Sequence, residues 1–327
     1  MELAGEKVLV TGGAGFIGSH LVESLLRLDA GVTVYDSFDD FYPKVGNLAA
    51  VTGNPKFRLI QGDIRESSGL SDAMKDVKVV FHLAAQAGVK YCIENPMKAH
   101  DVNVTGTLNV LNAAKKQGVK KLVYASSSSI YGKPIKVPLT EDLAPNPTSI
   151  YGATKLAGEK YCTAMGQTWG LPVTCLRYFS AYGPRGRPDQ VVTAFALKVM
   201  KGERPVIYGD GSQSRDFTFI SDVVSATVIS AIADESNGQV MNVGYGRELK
   251  IVEVARRILE HFKSNLEIDY RPGYAGDFPR TLCDNSKAKR ILSWNPRVDF
   301  GKGVEEHLKW LEAKAQVPSL SGQQHAS

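Results

Sequence analysis

Tyr151 and Lys155 stand four residues apart in "YGATK". On a helix that spacing puts both side chains on one face. An ammonium beside a phenol favours the phenolate, which makes tyrosine a usable base near neutral pH. The chemistry such a pair offers is removal of a proton from a hydroxyl. Alone, the spacing is also what any exposed helical pair would show, so its weight depends on its surroundings. Just upstream, "YASSSSIYG" (residues 124–132) sets four hydroxyls in a row after a run that reads as a buried strand. Serine is a poor strand former, and none of the four is Asp or Glu. This stretch therefore offers hydrogen-bonding hydroxyls but no carboxylate.

A second constellation lies near the start. "VTGGAGFIGSH" carries Gly12, Gly15 and Gly18 between an apolar run and a helical one. Glycines there let the backbone turn tightly and approach a pyrophosphate, which sits on the helix N-terminus. Asp36 closes the next apolar run, 18 residues after Gly18. A carboxylate in that place accepts hydrogen bonds from ribose hydroxyls and repels a 2′-phosphate, which favours NAD over NADP. "QGDI" adds Asp63 and Ile64 after a third run, suitably placed for an adenine, although an aspartate there also serves as an ordinary turn or cap residue.

Positioning these residues takes a regular scaffold, and the sequence supplies one. "KVLVTG" is followed by a helix from about Ile17 to Leu28, then by "VTVYD", "FRLIQGD" and "VVFHLAA". A helix through "VTGTLNVLNAAKK" precedes "KLVYAS" and "VTCLRYF". The strand-like runs are short and apolar on both faces, as parallel strands covered on both sides are. The alternation predicts an α/β fold, a Rossmann-type doubly wound parallel sheet with right-handed crossovers, over residues 1–180. Beyond about Ser180, loops rich in Gly, Pro and Arg ("AYGPRGRPDQ", "YGDGSQSRD", "YRPGYAGDFPR") predict a smaller substrate lobe over 181–318. "QVMNVG" (239–244) reads as one strand returning to the main sheet, so the lobes interleave. The polar tail 319–327 is expected to be disordered.

Bulk properties exclude several classes. The net charge of +5 is mild and spread along the chain, so no nucleic-acid partner is expected, while a small anion suits it. No apolar stretch approaches the roughly 20 residues of a membrane span. The start "MELAGEKVLVTGG" enters a strand with no leader-like run, so a soluble cytoplasmic protein is expected. Cys92, Cys162, Cys175 and Cys283 have neither CxxC nor metal-ligand spacing and read as reduced thiols; no metal is expected.

Taken together, these motifs resemble the extended short-chain dehydrogenase/reductases, in particular nucleotide-sugar epimerases, dehydratases and decarboxylases. The resemblance runs from "TGGAGFIG" through "HLAA", "YGATK" and "RDFTFISDV" to "GDFPRTLCDNSKAKRILSW". It implies a catalytic triad of Ser127, Tyr151 and Lys155. Tyr151 would take the proton of a sugar 4-hydroxyl while the 4-hydride passes to NAD. Lys155 would also hold the nicotinamide ribose, and Ser127 would hydrogen-bond the 4-oxygen. Around NAD it implies Phe16 and Ile17 beside the glycines, Leu83, Ala84, Ala85, Gln86, Asn103 and Tyr178. Around a UDP group it implies Tyr208, Arg215 and Asp277; Arg215 also has a rationale of its own, since a buried diphosphate needs a cation. Homodimerisation through helices near 100–116 and 151–168 rests on the resemblance alone.

The serines then distinguish reactions. Dehydrating members of the family resemble T-D-E before their V-Y-G, and decarboxylating members carry a glutamate in the slot filled here by Ser129. With Ser128 and Ser129 in those slots, no acid drives elimination, and hydride return to the other face is the simplest fate: epimerisation. The four serines also fit a merely polar strand end. "DSFDDFY", "HLAAQAGVKYCIENP", "SSSSIYG" and "YGPRGRPD" are similar to UDP-glucuronate 4-epimerases more than to UDP-glucose 4-epimerases, which show Asn where this chain has Ser180. Ser127, Ser128, Ser129 and Ser180 with Arg187 could hold a carboxylate; Arg187 facing a phosphate or solvent is the plainer alternative. The runner-up substrates are the UDP-glucose/UDP-galactose pair or its N-acetyl form, a UDP-sugar dehydratase or decarboxylase ranks below them, and a cofactor-binding scaffold without chemistry is the competing class. Relatives carry a basic residue where this chain has Tyr274, which leaves Arg271 or Arg280 to substitute for it.

Overall fold

Val8 and Val10 pack into one core, and Leu9 between them packs into another. The same alternation recurs at Val79, Phe81 against Val80, and at Val123, Ala125 against Leu122, Tyr124. A strand that buries both faces needs a layer on each side, which is why these runs are continuously apolar rather than alternating with polar residues. The computed structural model describes residues 2–133, 136–273 and 279–316.

Seven strands form the main sheet: β1 (Lys7–Thr11), β2 (Gly31–Asp36), β3 (Phe57–Gln61), β4 (Val79–His82), β5 (Lys121–Ser127), β6 (Val173–Tyr178) and β10 (Val240–Val243). Their order is β10-β6-β5-β4-β1-β2-β3 and every pairing is parallel. This is the doubly wound Rossmann-like sheet expected. The order reverses between β1 and β4, and in such sheets ligands bind outside the carboxyl ends at that switch point.

The remaining strands build a second layer of structure beyond Tyr178. β7 (Ser180–Tyr182) and β11 (Glu248–Lys250) flank β9 (Ser214–Phe219), and β8 (Val206–Tyr208) pairs with β12 (Asp269–Arg271). The sequence returns only β10 to the main sheet. The structure returns a helix with it: Ile220–Ile232 packs on Phe16–Arg27, burying Val223, Val224 and Ala226 in the first core. That helix is apolar nearly all round, so its periodicity does not mark the face it buries.

All four cysteines are buried and unpaired. No helix among the described residues is long and apolar enough to cross a membrane.

Candidate active site

Thr11, at the end of β1, starts a chain of hydrogen bonds that fixes the floor of the switch point. The Ala84 amide donates to Thr11 Oγ1 at 3.3 Å, and Thr11 Oγ1 lies 2.7 Å from His82 Nδ1. His82 Nε2 lies 3.0 Å from Thr107 Oγ1, whose hydroxyl donates to the Asn103 carbonyl at 2.7 Å. Because the Thr107 hydroxyl donates onward, His82 Nε2 must be the donor to it, and a neutral ring then accepts from Thr11 at Nδ1. Burial agrees, pushing His82 down to about 3. Asn103 continues the chain. Its side chain pins the Gln86 backbone on both sides, at 2.7 and 3.0 Å, and donates to Thr154 Oγ1 at 2.9 Å. Asn103, expected at the cofactor, is thus buried behind the wall that carries Gln86 and does not border the cavity itself.

The cavity at this end of the sheet holds about 320 Å³. Gly12, Gly15, Phe16, Ile17 and Gly18 form one side, with Asp36, Asp63 and Ile64 at one end. Leu83, Ala84, Ala85 and Gln86 line it as well, together with Tyr151, Lys155, Tyr178 and Arg187. The glycines are dictated by space. A Cβ on Gly12, at φ +71°, would lie 2.6 Å from the Ala84 nitrogen, and one on Gly18 would lie 2.2 Å from the Gly12 oxygen. Helix Phe16–Arg27 starts without a side-chain cap of its own and without an acidic residue in its first turn. The dipole of that helix end favours an anion there.

Asp36 is 4% exposed and accepts hydrogen bonds from the amides of Ala14 (3.0 Å) and Phe38 (2.9 Å). Asp63 is clasped by Arg65 through contacts of 2.6 and 3.0 Å; against the burial that pushes it up, Arg65 holds its carboxyl below the usual value.

At the catalytic end, Ser149 caps helix Ile150–Trp169 by accepting from the Gly152 amide at 3.0 Å. The cap sets the first turn and with it Tyr151. Ser127 and Tyr178 are register partners on β5 and β6. The Ser127 hydroxyl accepts from the Ser129 amide at 3.1 Å and lies near enough to the Tyr151 phenol to act on its pKa. Burial pushes Tyr151 above its usual value, while the Arg187 charge and the Ser127 hydroxyl pull it down. The cation that acts most on the phenol is therefore Arg187, where the sequence pointed to Lys155. Lys155 instead lies over the Tyr124 ring, 4.3 Å from its centroid, and burial draws it down to about 8. Two residues four apart share a face, but long side chains on that face can turn to different neighbours.

Arg187 is gripped by Asp189 at 2.9 and 3.1 Å. Its loop is tied to the first helix by His20, whose Nε2 reaches the Pro184 carbonyl at 2.8 Å, and by an Arg185–Glu23 ion pair.

Of the other expected substrate residues, those among the described residues lie outside the cavity walls. Ser128 and Ser129 begin a 3-10 turn (Ser128–Tyr131) at the end of β5. Ser180 stands on β7 opposite Phe217 of β9, the strand that also carries Arg215. Tyr208 ends β8 and is 45% exposed. Asp277 and Tyr274 lie outside the described residues. Of the suggested replacements for Tyr274, Arg271 pairs with Asp269 (2.8 Å) and Arg280 with Glu248. Sequence reasoning gave no role to Phe41, Tyr42, Lys44, Lys98 and Ser126, which all border the cavity. The aromatic and charged cluster in "DSFDDFYPK" was the available signal.

Residues 8–244 match the profile described as the NAD dependent epimerase/dehydratase family. The chain belongs to that family. It is an enzyme, and its cofactor is NAD. A UDP-glucose 4-epimerase of Mycolicibacterium smegmatis is 36% identical, covering 95% of this chain and 100% of its own. A UDP-glucuronate 4-epimerase of Thermodesulfobacterium geofontis is also 36% identical, covering 94% and 97%. Among solved structures, UDP-glucuronic acid 4-epimerase from Bacillus cereus, in complex with UDP-glucuronic acid and NAD, superposes with a TM-score of 0.91 at 33% identity. That alignment covers 94% of this chain and 99% of that one. The residues present fit the epimerase cofactor. Gly12 and Gly18 of the glycine cradle admit no Cβ, Asp36 is buried at the end of β2, and the Gln86 Oε1, buried in the cavity wall, has no protein partner.

Proposed function

We propose that this NAD-dependent UDP-sugar 4-epimerase takes a uronate, interconverting UDP-glucuronate and UDP-galacturonate. Tyr151 accepts the proton of the 4-hydroxyl, and Ser127, which acts on the Tyr151 phenol, steadies the same oxygen. The chemistry supplied by bound NAD is removal of the C4 hydride and its return to the opposite face of the ring. Proton transfer by a positioned base accounts for roughly 10²–10⁴-fold of rate.

The observation that carries the uronate reading is Arg187, a cation at the cavity's catalytic end whose charge acts directly on Tyr151. The end of β5 supports it, because Ser127, Ser128 and Ser129 present hydroxyls where an acid would promote elimination. A 4-keto uronate is a β-keto acid that loses carbon dioxide when its carboxylate stands perpendicular to the carbonyl. Short neutral donors and one guanidinium can hold the carboxylate in a poorer orientation without adding an acid beside the ring.

One observation favours the neutral UDP-glucose and UDP-galactose pair instead: Asp189 already grips Arg187 and offsets its charge. Comparing kcat/KM on the two substrate pairs, with products identified by NMR, decides between them. A clear preference for UDP-glucose overturns the uronate reading and leaves the 4-epimerase assignment standing.

A further inference from the structure

The amide of Phe16, first residue of helix Phe16–Arg27, donates a hydrogen bond to the Tyr42 hydroxyl at 2.9 Å. A Cβ on Gly15 would lie 3.4 Å from the same oxygen. Tyr42 thus seats a neutral acceptor at the helix end that an anion would take. Its segment reaches Asp36 as well: Lys44 Nζ lies 3.6 Å from the Asp36 carboxylate and 2.7 Å from that of Asp39. One loop therefore occupies both groups that would recognise a dinucleotide, the phosphate seat and the ribose acceptor.

The loop is held at a defined place and has a strained entry. Phe38 adopts φ +52°, a conformation that bulky residues rarely take. Beyond it, Lys98 ties Asp39 (3.6 Å) to the Tyr91 hydroxyl (3.0 Å), and the Phe41 ring packs edge-on against Tyr91 at 4.8 Å. Gly88 leaves room for Phe41, since a Cβ there would lie 2.8 Å from the ring. The far face of Phe41 meets the Arg187 guanidinium, 5.9 Å from the ring centre.

We propose that the segment Ser37–Lys44 is a gate on the dinucleotide groove, with Tyr42 holding the phosphate seat until NAD displaces it. A diphosphate wins the exchange because charged acceptors bind helix-terminal amides more strongly than a hydroxyl does. Because the closed form does not bind, the apparent affinity is reduced by the fraction of molecules that are closed. Through Phe41, gate position is also passed to Arg187. The proposal depends on the family's cofactor and not on which sugar is the substrate.

Tyr42→Phe removes the hydroxyl and keeps the ring. With bound nucleotide removed first, NAD binding is followed by stopped-flow fluorescence and calorimetry. Loss of one neutral hydrogen bond from the closed form should tighten NAD about 2- to 12-fold. The gain should lie in the association rate, with dissociation unchanged. Unchanged or weaker affinity overturns the gate, and faster dissociation identifies the hydroxyl as a cofactor contact instead. Lys98→Met, which unties the loop from Tyr91 without touching the helix end, gives a second reading. It should also speed association, and an unchanged or slower rate counts against the gate.

Discussion

The Glu159 carboxylate receives two hydrogen bonds from the Arg177 guanidinium, at 2.7 and 3.1 Å, with both side chains almost wholly buried. The Ser126 hydroxyl adds a third at 2.6 Å. Glu159 stands one turn after Lys155 on the catalytic helix, Ser126 precedes Ser127 on β5, and Arg177 precedes Tyr178 on β6. One carboxylate therefore ties together the three elements that carry the catalytic end. Breaking such a pair strands a buried charge, so Glu159→Ala should cost about 3–5 kcal/mol of unfolding free energy in urea. The double variant Glu159→Met, Arg177→Met should recover most of it, because the larger penalty is the unpaired charge.

Tyr151→Phe should lose at least ~10²-fold in turnover while keeping the fold and NAD affinity. The pH profile tests the same residue. Since burial holds the phenol up and Arg187 and Ser127 draw it down, kcat/KM should rise with pH as Tyr151 ionises. Ser127→Ala should shift that rise to higher pH. A shift to lower pH, or a Phe variant at near wild-type rate, places the base elsewhere.

The glycine loop, the carboxylate ending β2 and the Tyr151–Lys155 pair were legible because each follows from short-range geometry: a turn, a strand end, one face of a helix. The sheet was legible for the same reason, since strands buried on both faces write continuous apolar runs. Arg187 was named from its motif, but its effect on Tyr151 comes from two segments far apart in the chain. The Tyr42 contact was hidden because nothing local in "DSFDDFYPK" says that the loop folds back on the first helix. Asn103 shows the reverse: its motif points to the cofactor, while its side-chain hydrogen bonds hold the Gln86 wall and Thr154.

His20, His82 and His307 are buried and held down, by burial above all, to about 4, about 3 and about 4. Unfolded histidines take up protons near pH 6.5, while the native ones stay neutral until lower pH. Between those values the unfolded state binds more protons, so native stability falls as pH drops from 6.5 towards 4. Asp216 opposes this in part. Burial raises it to about 6, so the native state takes up its proton first. Burial raises Asp222 in the same sense, so three histidines stand against two carboxyls, and the balance is a loss of stability towards pH 4. Unfolding free energy across pH 4–7 should show this, and His82→Gln should flatten it.

If Asp36 sets the choice of dinucleotide, its removal should change the NAD to NADP ratio. Asp36→Ala frees Lys44, now 3.6 Å from the carboxylate, to meet a 2′-phosphate. The variant should weaken NAD and improve NADP, narrowing their affinity ratio by at least about tenfold, one charged contact's worth. Calorimetry on both dinucleotides checks it. Equal or tighter NADP binding by the unaltered chain shows that Asp36 does not discriminate.

Substitution of Arg187 tests which of the two substrate pairs is preferred. If the guanidinium holds a uronate carboxylate, Arg187→Ala removes a charge-assisted contact worth ~1.5–3 kcal/mol, about 10- to 150-fold in kcat/KM. The same variant also withdraws the charge that lowers the Tyr151 phenol, a loss that falls on every substrate. The informative quantity is therefore the ratio between pairs, which cancels the common effect. The uronate pair should lose at least about tenfold more than the neutral pair. Release of a UDP-pentose would add that the carboxylate is no longer held away from decarboxylation. Arg187→Lys keeps the charge but not the two-point grip on Asp189 and should fall between. Equal losses on both pairs would mean that Arg187 serves the phenol alone and that the carboxylate is held by other residues.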